Sequence, residues 1–206
     1  MNKLPKPSIN QKEYYHSLWN SSAYEAYRIQ EDVLKQIWRK YPDNKNLKEI
    51  EVKVKTLNLY YSTNVIATNK VAKSIYSIKD LDKCLEDGDL SVVQKIAHLN
   101  LADGKQRDFY SFATKYCSFH NPKKYPIYDF YVQDLLYRYQ KQENFYPGKI
   151  TRNSITNYLK YDEYKNIIDC FISYFDLHCS YKELDMYLWT MGRTKFPRGG
   201  KKENKK

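Results

Sequence analysis

The chain has 206 residues, of which 42% are hydrophobic and 16% aromatic, enough for one domain with a substantial core. Its net charge of +11 favours polyanionic partners, nucleic acid being the commonest. No stretch approaches the roughly 18 apolar residues of a membrane span, and MNKLPKPSIN holds no apolar leader core, so neither a membrane partner nor a secretory signal is expected. Cysteines 84, 117, 170 and 179 form no tight framework and fit a reduced, cytoplasmic setting.

Helical spacing recurs along nearly the whole chain. Helices are predicted over 10–18, 22–41, 46–62, 65–78 and 89–99, then over 105–120, 128–142, 152–160, 162–178 and 180–192. Pro42, Pro122, Pro126 and Pro147 fall between these segments, where helix breakers belong. Glu86-Asp87-Gly88-Asp89 and Tyr146-Pro147-Gly148 mark further turns. No repeat of 20–50 residues is present, which argues against a solenoid. The expected fold class is all-α: one compact multi-helix domain over 1–196, then a disordered basic tail over 197–206. From Arg193 to Lys206 there are seven Lys/Arg and one Glu, so this end carries much of the net charge. The tail either helps to hold a polyanion or simply keeps the end solvated. The 22 tyrosines admit base stacking, but with so much Asn, Lys and Ile they also fit an AT-rich genome.

The most specific stretch is Ser111–Val132, SFATKYCSFHNPKKYPIYDFYV. On a helix from about Lys105, Phe109, Phe112, Ala113, Tyr116 and His120 share a buried face. Ser111, Lys115 and Ser118 share another flank, which places Lys115 either in solvent or at the wall of a cleft. A desolvated lysine has a lowered pKa and can attack an electrophilic carbon. Past the Pro122 break, Asp129 opens the next helix. There it can act as an N-cap, stabilise positive charge developing on a sugar ring, or accept a proton from an attacking amine.

These residues resemble the helix-hairpin-helix (HhH-GPD) DNA glycosylases, in which a helical lysine, a turn and a Pro-x-Asp opening the next helix follow one another. Pro126-Ile127-Tyr128-Asp129 resembles that last element and places Asp129 at the catalytic aspartate. The run Leu57-Asn58-Leu59-Tyr60-Tyr61-Ser62-Thr63 resembles the family's minor-groove helix, with Tyr60 as the residue filling the gap left by a flipped base. Within the family, the chain is most similar to the bacterial 8-oxoguanine glycosylase-like proteins, with their S-F-A-S-K-Y-C-x-F-H-N-P run.

The sequence departs from the family in two respects. Leu101–Arg107 has a single glycine where the family hairpin has G-x-G, so phosphate contacts would pass to Lys105 and Arg107. Lys115 also stands closer to the aspartate than is usual. Aligning on Ala113 would put Ser111 at the lysine position, one helical turn from Lys115.

The resemblance implies a base-excision glycosylase that removes a damaged base, oxidised guanine above all, from double-stranded DNA. It would act as a monomer associated with the nucleoid and use no metal or organic cofactor. Lys115 would attack the sugar and form a Schiff base that permits AP-lyase cleavage, with Asp129 beside it. Tyr60, Ser111, Lys105, Arg107 and His120 would meet DNA or base. Asp185 and Trp189, one turn apart on the last helix, would supply a hydrogen bond and a stacking face. The alternatives are a non-catalytic nucleic-acid binder on the same scaffold, or a helical interaction protein. Cys117 and His120 with His178 and Cys179 also present zinc-ligand chemistry, at poor spacing. There is no Walker loop, H-E-x-x-H or dinucleotide fingerprint.

Overall fold

A computed structural model describes residues 3–100, 106–151 and 160–197. The described chain is helical except for one short ribbon. Helices α1 (Ile9–Trp19), α2 (Glu25–Lys40), α3 (Leu47–Tyr61), α4 (Thr68–Tyr76), α5 (Leu81–Asp87) and α6 (Ser91–Ala97) lead into strands β1 (His98–Asn100) and β2 (Gln106–Asp108). Helices α7 (Tyr110–His120), α8 (Phe130–Glu143), α9 (Tyr161–Tyr174) and α10 (Tyr181–Lys195) follow. Several starts are set by side chains that accept otherwise orphaned N–H groups. Ser8 caps α1, Asn46 caps α3 and Asp129 caps α8. Ser180 and Glu183 form a reciprocal capping box on α10.

The core is one cluster of buried side chains running from Leu4 to Met191. Helix α7 lies at its centre. Tyr110 and every residue from Phe112 to Ser118 are buried, because α2, α3, α5 and α6 all pack around it. Phe112 and Tyr116 are fully enclosed, each worth roughly 2–3 kcal/mol relative to exposure. Phe112→Ala would therefore cost about 3–5 kcal/mol. Helix α10 packs against both α1 and α8, and His16 of α1 bonds the Glu183 carbonyl of α10 at 2.9 Å. The amino-terminal segment is tied down by Gln142, which bonds both the N–H and the carbonyl of Leu4.

Three parts of the sequence reading need correction. The helices expected over 89–99 and 105–120 are interrupted by the antiparallel β1–β2 ribbon, in register His98↔Asp108, so α7 begins at Tyr110. Strands of three residues are set by what they pack against, which helical spacing along the chain does not register. Helix α5 was not expected at all. It spans only seven residues, too few for a periodic apolar pattern, and the Asp80 that precedes it sits in a left-handed conformation with no capping bond. The helix expected over 162–178 ends at Tyr174, where Asp176 and His178 adopt positive φ. The helix expected over 152–160 and the tail beyond Pro197 lie outside the described residues. No helix among the described residues is long and apolar enough to cross a membrane.

Candidate active site

Helices α2, α3, α7, α8 and α10 converge on a cavity of about 280 Å3. It is lined by Lys115, Ile127, Asp129 and Tyr61, by the charged Glu31, Lys182 and Asp185, and by the rings of Trp19, Tyr27, Tyr60, Tyr131 and Trp189.

Lys115 is buried. Its Nζ donates to Ser111 Oγ at 2.7 Å and to the Tyr128 carbonyl at 3.0 Å, and stands 3.9 Å from Asp129 Oδ2. The Tyr61 ring lies 5.3 Å from the same nitrogen. Burial pushes the Lys115 amine below the usual lysine range, while the carboxylates of Asp129 and Asp185 act in the opposite sense. Ser111 and Tyr128 accept two of the Lys115 N–H bonds, and the remaining position of the nitrogen is on the side of Asp129. Asp129 accepts the Tyr131 N–H at 2.8 Å as the α8 N-cap, and its remaining acceptor capacity faces the cavity beside Lys115.

The segment leading to Asp129 has no regular structure but is held carbonyl by carbonyl. Tyr161 donates to Pro126 O at 2.8 Å, Tyr164 to Ile127 O at 2.7 Å and Lys115 to Tyr128 O. Thr114 of α7 accepts the Tyr128 N–H at 3.1 Å. A carboxylate on such a frame is preorganised.

Glu31 and Lys182 were missed by the sequence reading. Lys182 Nζ lies 3.1 Å from Glu31 Oε2 and 3.5 Å from Asp185 Oδ2. Burial alone would weaken the Lys182 ammonium, but Tyr61, Asp185 and Glu31 together hold it well above the usual lysine range. Burial pulls Glu31 upward, yet Lys182 and Lys35 overcome it and leave the carboxyl below its ordinary value. Burial raises Asp185 to about 6, against the pull of Lys182. A signal for both missed residues exists in the sequence. Tyr27, Glu31, Leu34 and Trp38 share one α2 face, and Lys182, Asp185 and Trp189 share one α10 face, so a charge interrupts each apolar stripe.

Among the other expected residues, Tyr60 is half-buried and lines the cavity, Ser111 orients Lys115, and Asp185 and Trp189 face the cavity together. His120 is not at the cavity. It belongs to a polar cluster at the far end of α7, where its Nε2 lies 3.4 Å from both Asn44 Nδ2 and Lys53 Nζ. Lys53 is fully buried and donates to Asp43 O and Asn44 Oδ1, and its ammonium is pushed down to about 8 by burial. Burial and the Lys53 charge hold His120 well below its usual value. Lys105 lies outside the described residues, as does the Arg107 side chain. Cys117 is buried in the core, while His178 is exposed and faces Asp176 at 2.8 Å. Among the described residues no three His, Cys, Asp or Glu side chains converge as a metal site would require.

Beside the cavity, the α3–α4 turn is shaped by Asn58. Its side chain accepts from Thr63 Oγ1 and Val65 N and donates to Val65 O. The turn contains two left-handed residues, Ser62 and Asn64, and presents Ile66, which is 82% exposed, with Leu59 at 72% nearby. No acidic residue occurs between Val52 and Lys79.

Residues 10–124 match the HI_0787_N family, described as an N-terminal domain. A Haemophilus influenzae protein described as uncharacterized is 45% identical over 141 residues, covering 68% of this chain. The chain in turn spans 65% of the length of that relative. No solved structure matches. The family match takes in Glu31, Tyr60 and Lys115 but stops short of Asp129, Lys182, Asp185 and Trp189, which the fold brings to the same cavity. The chain belongs to the HI_0787_N family.

Proposed function

We propose that the cavity is the active centre of a DNA glycosylase with a lysine nucleophile, working on double-stranded DNA that carries a damaged base. The observation that carries this reading is the buried Lys115 amine, 3.9 Å from the Asp129 carboxylate in a cavity lined by aromatic rings. A nucleotide is flipped out of the duplex at a cost of a few kcal/mol, and its base enters between those rings. The glycosidic C–N bond breaks, its electron pair leaving with the base, while a bond forms between Lys115 Nζ and the anomeric carbon. The Asp129 carboxylate offsets the positive charge on the sugar and takes the amine proton, passing it to the departing base. Ring opening then gives a Schiff base, from which elimination of the 3′ phosphate follows. The acid-free stretch from Val52 to Lys79, with exposed Leu59 and Ile66, suits a phosphate-flanked groove into which apolar side chains wedge.

A second reading is a non-catalytic nucleic-acid binder on the same scaffold. It is favoured by the two acceptors that already engage Lys115, an arrangement that also serves a purely structural amine.

The test is base release from duplexes carrying single lesions, 8-oxoguanine first, with borohydride trapping and the variants Lys115→Gln and Asp129→Asn. Release and trapping by the wild type, abolished by Lys115→Gln and strongly reduced by Asp129→Asn, support the glycosylase. Base release without a trapped adduct removes the lysine chemistry. Lesion-independent, salt-sensitive binding with no release moves the conclusion to the second reading.

A further inference from the structure

A second cavity, of about 350 Å3, adjoins the first and shares Tyr27, Tyr131 and Arg193 with it. Its other lining residues are Ala23, Tyr24 and Pro197. Arg193 stands where the two meet. Its guanidinium carbon lies 4.6 Å from the centroid of the Tyr27 ring and 5.4 Å from that of Trp189. Cation–π contact with two rings holds a planar fork in place and leaves its N–H donors free. Among the described residues no carboxylate pairs with Arg193. This contrasts with Arg138, whose Nε meets Asp134 at 2.6 Å, and with Arg28, which bonds the Trp19 and Ser21 carbonyls at the end of α1. A half-buried arginine with a fixed orientation and open donors is built for an external oxyanion, and the planar fork matches phosphate.

We infer that Arg193 is a phosphate clamp: it holds the phosphate of the nucleotide whose base occupies the inner cavity, with that phosphate seated in the outer one. The inference rests on the reading of the inner cavity as a base pocket. It adds a recognition element that neither the lysine nor the carboxylate supplies. Aromatic rings alone take up a nucleobase, whereas rings plus an open guanidinium select a nucleotide over the bare nucleoside. A clamp on the phosphate also fixes how far the sugar advances towards Lys115.

The experiment is isothermal titration calorimetry of the full chain with 2′-deoxyguanosine, its 5′- and 3′-monophosphates and a short single-stranded oligonucleotide, on wild type, Arg193→Gln and Arg193→Lys. Expected is at least one monophosphate binding about tenfold more tightly than the nucleoside, the size of a charge-assisted contact. The ratio of monophosphate to nucleoside affinity should fall to about one in Arg193→Gln, whatever that variant's affinity for the nucleoside, and stay between the two in Arg193→Lys. A gain that persists in Arg193→Gln overturns the clamp and leaves the base pocket standing. Absence of all binding, nucleoside included, overturns the base pocket and the clamp together. Displacement of the mononucleotide by the oligonucleotide identifies a strand as the source of the phosphate, and failure to displace it identifies a free nucleotide. Either result retains the clamp.

Discussion

Lys115 Nζ donates to the main-chain carbonyl of Tyr128 across 3.0 Å, one residue before the carboxylate that it faces. The amine on α7 thus helps to place the N-cap of α8. Ser111 Oγ also donates to the Tyr128 carbonyl, at 3.3 Å, so that acceptor keeps a partner if the lysine is removed. Lys115→Met should therefore remain folded, within about 1–2 kcal/mol of wild type by urea denaturation, while losing all borohydride trapping. A loss of fold together with trapping would assign Lys115 to structure alone.

Asp185 gives the cavity a titration near pH 6. Its folded pKa, about 6, lies above the ordinary 3.8, so the native state holds this proton more tightly than the unfolded chain does. The resulting stabilisation is fully present below pH 3.8 and is lost as pH rises through 6. It amounts to about 3 kcal/mol. Relative to Asp185→Asn, the wild type should lose about that much stability between pH 4 and pH 6.5. Parallel denaturation curves across this range would remove Asp185 from the account.

Lys53 titrates in the other direction. Its folded pKa of about 8 lies below the ordinary 10.5, so in between the unfolded chain binds the extra proton. Stability is fully present above pH 10.5 and is lost as pH falls through 8, again by about 3 kcal/mol. The wild type should gain on Lys53→Met as pH is raised from 7.5 to 10. The pH dependence of their melting temperatures measures this, and identical slopes would count against it.

Gly192 lies in the last turn of α10, where an added Cβ would stand 2.7 Å from Tyr131 Cβ. Gly192→Ala should push α10 away from α8 at a cost of about 1–3 kcal/mol. Tyr131 lines both cavities, so the same change should also weaken nucleotide binding, read by calorimetry. An unchanged melting temperature would mean that the two helices separate freely.

The helices that carry Lys115, Asp129, Asp185 and Trp189 were legible because each has several turns, a capping or breaking residue and a clear apolar spacing. The company these residues keep was not. Spacing assigns a residue to a helix face without saying what that face meets. Spacing favoured solvent over a cleft for the polar flank of α7, whereas Lys115 and Ser118 are buried and Lys115 lines the cavity. Lys182 and Glu31 come from opposite ends of the chain, and only tertiary packing makes them neighbours. His120 shares a helix with Lys115 yet points to a different cluster, because α7 is long enough for its two ends to serve separate surroundings. The β1–β2 ribbon and α5 escaped because short elements take their shape from context rather than from propensity.

Helix α9 contributes no side chain to either cavity, yet its Tyr161 and Tyr164 hydroxyls hold the two carbonyls just ahead of Tyr128. Much of the chemistry of this chain's tyrosines is thus directed inward, as hydroxyl-tipped struts rather than as surfaces for a ligand. Loss of one oxygen atom at Tyr161 or Tyr164 would leave the packing almost untouched and free a buried carbonyl to turn. The defect would surface at Asp129, on the far side of the segment from the atom removed. A genetic screen would then score a silent-looking hydroxyl deletion in α9 as damage to the cavity itself.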